Sequence, residues 1–100
     1  MRDHAREAVA FSAGRSREDL DADRQFQLAL TRLVEIVGEA AGRVSELSRQ
    51  RQPGIPWREI VGMRHRLIHG YDRVDLDILW EVVRRDLPDL VAKLDAILGP

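Results

Sequence analysis

From Phe26 to Leu47, apolar residues return every three or four positions: Phe26, Leu30, Leu33, Val34, Val37, Ala40, Ala41, Val44 and Leu47. Residues at that spacing share one face of an α-helix, whereas a strand would send alternate ones to opposite sides. The stripe predicts a long helix over 23–49 with one face on a core. Gly38, Ala40, Ala41 and Gly42 keep its middle slim. A second helix can therefore approach closely there, although each glycine costs about 1 kcal/mol of helix propensity relative to alanine.

The flanking segments follow the same period. Ala5, Ala8, Val9 and Phe11 predict a short helix over 3–13 that stops near Gly14. Ser16 followed by Asp19 reads as a capping box opening a turn through Leu20. Gln50 to Ile55 is the clearest loop, and Pro56 suits the first position of a helix because its missing N–H has no partner there. That helix, with Trp57, Ile60, Val61, Arg64, Leu67 and Ile68, is expected to run to about Gly70. Asp75 is placed to cap a last helix with Leu76, Leu79, Trp80, Val83, Leu87, Leu90, Val91, Leu94, Ile97 and Leu98 on its apolar side. Pro88 should kink or split it near Asp86. No strand-period alternation or internal repeat interrupts the pattern, so the expected fold is an all-α bundle of four or five helices.

At 100 residues, positions 1–100 form a single domain. A domain of this size often gains core by oligomerising. There is no cysteine, which removes disulfides, thiolate metal ligands and cysteine nucleophiles. No run reaches the ~18 apolar residues of a membrane span. Met1-Arg2-Asp3-His4 carries an acid and no apolar stretch follows it, which argues against a signal peptide and for a cytoplasmic location with no membrane partner. The net charge of −1 hides an asymmetry: between Arg43 and Arg73 seven arginines face three acids, a local +4 that leaves −5 for the remainder. Such a segment suits a phosphate-bearing partner, although arginines coating solvated helix faces give the same count.

Little else in the chain is as dense in reactive groups as Arg64-His65-Arg66-Leu67-Ile68-His69-Gly70-Tyr71. Arginine grips phosphate oxygens, histidine moves protons near neutral pH, and tyrosine contacts nucleotides. On one straight helix His65 and His69 would lie a turn apart on the same face, while Arg64 and His69 would diverge by roughly 140°. Convergence on one phosphate then needs the helix to unwind near Gly70, or a second subunit to complete the site. A metal site at His65 and His69 is disfavoured: the zinc-protease pattern has a glutamate after its first histidine, and Arg66 stands there. Spacing alone leaves a plain structural role open, with Arg64 and His65 solvated and His69 and Tyr71 closing the helix end. Trp57 and Trp80 read as core or interface aromatics, and Glu35 and Glu39 as solvated or arginine-paired carboxylates.

The octapeptide resembles the Arg-x4-His-x-Tyr motif of HepT-like toxins in the HEPN superfamily, whose members are largely RNases. Glu35 to Ala41 resembles the family's Ile-Gly-Glu-Ala segment, and Ile55-Pro56-Trp57 with Ile60 to Met63 its Ile-Pro-Trp and following helix. Val74-Asp75, Trp80 and Asp86-Leu87-Pro88 are similar to its C-terminal helix. The likeness covers nearly the whole chain in order. Two departures stand out: His65 occupies a position that is commonly asparagine, and the first helix is short.

This resemblance implies a HEPN-like bundle and a metal-independent endoribonuclease that needs no cofactor and works in the cleft of a homodimer. RNA would be cut by attack of a ribose 2′-OH on the adjacent phosphate. His69 would serve as general base or acid and Arg64 would stabilise the phosphorane, with His65 and Arg66 supporting the phosphate. It further implies a type VII-like toxin–antitoxin pair, in which a minimal nucleotidyltransferase antitoxin AMPylates Tyr71. A bulky anion on that phenol would obstruct the cleft. The alternative is a non-catalytic helical module that docks such a nucleotidyltransferase as its substrate or scaffold.

Overall fold

Four helices start where a short side-chain oxygen can take a free N–H of the first turn. They are seen in a computed structural model that describes residues 1–68 and 74–99. Helix α1 (Arg2–Ser12) comes first, and the turn after it passes through Gly14, whose φ of +74° favours a residue without a Cβ. Ser16 then caps α2 (Arg17–Ala22) through the expected box: its hydroxyl accepts the Asp19 N–H and the Asp19 carboxylate accepts the Ser16 N–H. Asp23 caps α3 (Arg24–Gly42) by accepting the Phe26 N–H at 3.1 Å. Ser45 does the same for α4 (Glu46–Arg51). Helices α5 (Trp57–Val61) and α6 (Met63–Leu67) follow, separated by a turn at Gly62. Asp75 caps α7 (Leu76–Glu81) through the Ile78 N–H at 3.0 Å. A π-helical stretch, Val82–Asp86, then leads without a break into α8 (Leu87–Leu98).

The π-helical stretch is where Pro88 makes itself felt. Proline brings no N–H and its ring crowds the carbonyl four residues back. Widening the preceding turn relieves this, and the Leu87 N–H reaches back five residues to the Val82 carbonyl. The helix is therefore distorted near Asp86, as the sequence indicates, but the chain runs on as one rod.

Helix α3 is the spine of the bundle. Phe26, Leu30, Val34, Val37 and Ala41 are buried along one side, facing Ala5 and Ala8 of α1, Leu20 of α2 and Ile60, Met63 and Leu67 of α5–α6 in one cluster. Leu79, Val82, Val83, Leu87, Leu90 and Leu94 complete it from the C-terminal rod. Gly38 lets α5 come close, since a Cβ there would sit 3.2 Å from the Ile60 carbonyl oxygen. Gly42 has no such role, with open space around it. The termini are tied together by Arg2 and Arg6 on Asp95, at 3.3 and 2.5 Å. The Cα trace extends only 16 Å in its thinnest direction, so the outer sides of α3 and α6 stay in solvent. Among the described residues no helix is long and apolar enough to cross a membrane.

The long helix expected over 23–49 is shorter. It ends at Gly42, and Leu47, placed on the stripe, is 58 % exposed on α4. Two contacts favour the break. Ser45 offers an N-cap for a new helix, and the Arg49 guanidinium turns back to the carbonyls of Ala41, Gly42 and Val44 at 3.1 to 3.2 Å. A cation on the unpaired carbonyls of a helix C-terminus is favourable. The helix expected to reach Gly70 is likewise split at Gly62 and finished at Leu67. The all-α bundle stands, with its rods divided more finely than the periodicity indicated.

Candidate functional site

Met63 and Leu67 are buried and lie four residues apart, so they anchor one side of α6 to the core. The three residues at 64–66 must then fan around the rest of the short helix. Arg64 turns toward α3, where its Nε donates to Glu35 Oε2 at 3.2 Å. Arg66 turns toward the π-helical stretch, where Nη1 and Nη2 donate to Asp86 Oδ2 at 3.5 and 3.4 Å. His65 is exposed. Two ion pairs thus hold α6 from both sides.

Ile68 has already left the helix, with φ −101° and ψ 116°. It pairs with Val74 in an isolated antiparallel bridge, and the Asp75 N–H donates to the Leu67 carbonyl at 2.7 Å. These bonds join the residues on either side of 69–73 to each other at the end of α6. Residues His69 and Tyr71 fall inside that segment and lie outside the described residues. The end of α6 removes the premise of a regular 100° step from Arg64 to position 69. The roughly 140° divergence and the shared face of His65 and His69 presuppose that step, and the placement of His69 relative to Arg64 and His65 lies outside the described residues.

Arg64 stands at the edge of a groove of about 560 Å³. Arg24, Gln27, Leu28, Thr31 and Glu35 of α3 form one side, and Ile68, Val74 and Leu76 line it with Arg64. Arg24, Leu28, Thr31 and Glu35 recur at three and four residues, on the side of α3 turned away from its buried stripe. Several of the polar groups are engaged internally: the Thr31 hydroxyl donates to the Gln27 carbonyl at 2.7 Å, and Gln27 Nε2 donates to the Leu20 carbonyl at 2.8 Å. Among the described residues Arg24 keeps only a 3.5 Å contact to Gln27. Among the described residues the groove's cations for an incoming anion are therefore Arg24 and Arg64. Arg66 opens onto a separate cleft of about 660 Å³ floored by Ile60, Met63 and Leu90, so the two motif arginines do not converge.

The basic segment is also partitioned. Arg49 is used internally as a helix cap, whereas Arg43, Arg51 and Arg58 are exposed and make no ion pair among the described residues. Glu39 pairs with Arg32 at 3.3 Å and Glu35 with Arg64, so both carboxylates are arginine-paired as anticipated. Trp57 donates its indole N–H to the Gln52 carbonyl at 3.0 Å, and Trp80 stands edge-on to Phe26 with ring centroids 6.4 Å apart. Both tryptophans serve packing. Asp86, as the partner of Arg66, was not recognisable from local spacing, because twenty residues separate the two. Among the described residues, no three His, Asp or Glu side chains are grouped so as to hold a metal ion.

The model of a family described as "Ribonuclease HepT-like" matches residues 1–97. The chain belongs to the HepT-like ribonuclease family. Its HepT-like relatives include the "Probable ribonuclease HepT" of Thermococcus cleftensis, 40 % identical over 80 residues, which span 80 % of this chain and 73 % of the relative. A "Putative RNase" of Caldanaerobacter subterraneus is 38 % identical over 85 residues, covering 85 % of this chain and 76 % of that protein. Another, from Methanocaldococcus jannaschii, is 29 % identical over 93 residues, covering 93 % and 85 %. No solved structure matches the HepT-like chain significantly.

Proposed function

We propose that this HepT-like protein is a metal-independent endoribonuclease and the toxin of a toxin–antitoxin pair. One observation carries the reading: Arg64 is 60 % exposed at the edge of a groove bounded by Ile68 and Val74, the residues that flank His69. A phosphodiester lying in that groove meets the Arg64 guanidinium, and the imidazole of His69 follows Ile68 directly in the chain. Family membership supports RNA as the substrate class.

In this reading His69 takes the proton from the ribose 2′-OH, whose oxygen attacks the adjacent phosphorus. The 5′-oxygen of the next nucleotide leaves with a proton returned by an imidazolium. Arg64 donates to the equatorial oxygens of the phosphorane, where charge-assisted hydrogen bonds strengthen as negative charge develops. His65 orients the phosphate from the solvent side of α6. Arg24 holds a neighbouring phosphate, while Arg66, on the far side of α6, acts by holding the helix in place.

A homodimer is part of the proposal. The rim of the groove carries Leu28, 53 % exposed, beside the half-buried Ile68, Val74 and Leu76. Covering this apolar edge with a second copy would bring two motifs into one cleft and add core to a thin domain. The antitoxin would be a minimal nucleotidyltransferase that transfers AMP to the Tyr71 hydroxyl, placing an anion and a base where RNA must enter. Intact-mass analysis after co-expression tests this arm: wild type should gain AMP adducts that Tyr71→Phe lacks.

Cleavage of RNA in EDTA by wild type, Arg64→Ala and His69→Ala tests the enzyme. Activity in wild type and its loss in both variants are expected. Undiminished cutting by His69→Ala would refute the assigned roles, and an inert wild type would favour the non-catalytic docking module.

A further inference from the structure

Glu35 places a carboxylate inside a groove proposed to receive phosphate. Its charge opposes an incoming anion, so its presence there calls for a physical reason. The Glu35 side chain is 21 % exposed, much less than the 60 % of its partner Arg64. The acid is thus seated against the protein while the guanidinium faces solvent. Contact is made through Nε, the nitrogen nearest the aliphatic stem. Among the described residues Nη1 and Nη2 of Arg64 make no hydrogen bond, which leaves four of its five N–H donors without a partner there. Glu39, one turn further along α3, shows what an ordinary surface pair looks like here: it meets Arg32 of its own helix, and both side chains are well exposed.

Arg64 lies on a five-residue helix, has several rotatable bonds and is largely exposed. Left to itself it would sample many orientations, few of them presenting a flat pair of donors to one phosphate. Anchoring Nε fixes the plane of the guanidinium and leaves its terminal edge free for bidentate contact.

We propose that Glu35 is a positioning residue for phosphodiester cleavage, holding the Arg64 guanidinium through Nε so that its Nη1–Nη2 edge faces the scissile phosphate. The inference rests on the RNase reading above. A carboxylate that acts only as an acceptor can be replaced by another acceptor, whereas one that transfers protons cannot.

The test compares wild type, Glu35→Gln, Glu35→Ala, Arg64→Ala and the double variant Glu35→Ala/Arg64→Ala on one RNA. Glu35→Ala should lower kcat on the order of 10- to 100-fold, with KM much less affected. Glu35→Gln should stay within about threefold of wild type, since its amide oxygen still accepts from Nε. The double variant should be no slower than Arg64→Ala alone, as expected of residues acting as one unit. Glu39→Gln should match wild type. An independent readout is the Arg64 Nε–H resonance in a nitrogen–proton spectrum, protected from exchange in wild type and Glu35→Gln and lost in Glu35→Ala. Full activity in Glu35→Ala, equal damage by Gln and Ala, or an unprotected Nε–H in wild type each overturns the inference while leaving an active wild type as an RNase. A wild type that does not cut RNA overturns both.

Discussion

Two glycines in α3, four residues apart, should respond to substitution in opposite directions. At Gly38 a Cβ would lie 3.2 Å from the Ile60 carbonyl oxygen and 3.8 Å from that of Val61. Both oxygens belong to the backbone of α5, so neither can swing away as a side chain would. Gly38→Val adds two further carbons at this contact, and overpacking of a close interface costs about 1–3 kcal/mol. The gain in helix propensity of valine over glycine is only a few tenths of a kcal/mol, so destabilisation wins. For a domain of this length each kcal/mol moves Tm by roughly 4–8 °C, giving a fall of about 5–20 °C. Gly42 has nothing within 4 Å of its virtual Cβ. Gly42→Ala should therefore be stabilising by about 0.5–1 kcal/mol, from reduced freedom of the unfolded chain and better helix propensity. Thermal unfolding followed by circular dichroism at 222 nm measures both. Because α5 leads through Gly62 into α6, Gly38→Val should also slow RNA cleavage below its own melting range. A Gly38→Val protein as stable as wild type would refute the close approach of α3 and α5.

Arg49→Met keeps the aliphatic stem but gives up the bonds to the Ala41, Gly42 and Val44 carbonyls. Discounted for partial exposure, the loss should be about 1–2 kcal/mol, read as a lower urea midpoint with unchanged slope. Asp23 is held below the ordinary aspartate range, chiefly by the Phe26 N–H it caps and then by Arg15. A lowered folded-state pKa means stability that is fully present above the unfolded value and lost as pH falls through the folded one. Asp23→Asn, which still caps but does not titrate, should flatten the acid limb of Tm against pH. An unchanged acid limb would show that Asp23 is not a linked group.

Sequence reading succeeded where the determining contact is local. The Ser16–Asp19 box, the Asp75 cap and the buried stripe from Phe26 to Ala41 each lie within a few residues of one another. It failed where a distant contact decided the outcome. The stripe continues through Val44 and Leu47, and periodicity carries no sign that Arg49 folds back on the end of α3 or that Ser45 caps a new helix. The motif helix reads as continuous to Gly70, but Ile68 is drawn into a bridge with Val74 and α6 ends at Leu67. Its two ion pairs reach 29 residues back to Glu35 and 20 forward to Asp86. Residue types singled out Arg64 as a candidate phosphate-binding group, and resemblance identified the family. The divergence of Arg64 from Arg66 and the hold of Glu35 on Arg64 required the fold.

Because attack by the ribose 2′-OH is the core of the proposed chemistry, the nature of the cut ends tests it most directly. One RNA oligonucleotide is incubated with the wild-type protein in EDTA, alongside the same oligonucleotide carrying a 2′-deoxyribose at the cleaved position, and the products are weighed by mass spectrometry. A 2′,3′-cyclic phosphate and a 5′-hydroxyl are expected from the all-ribose strand, with no cut at the deoxy position. Cleavage of the deoxy strand at the same place, or a product bearing a 5′-phosphate, would contradict attack by the 2′-OH.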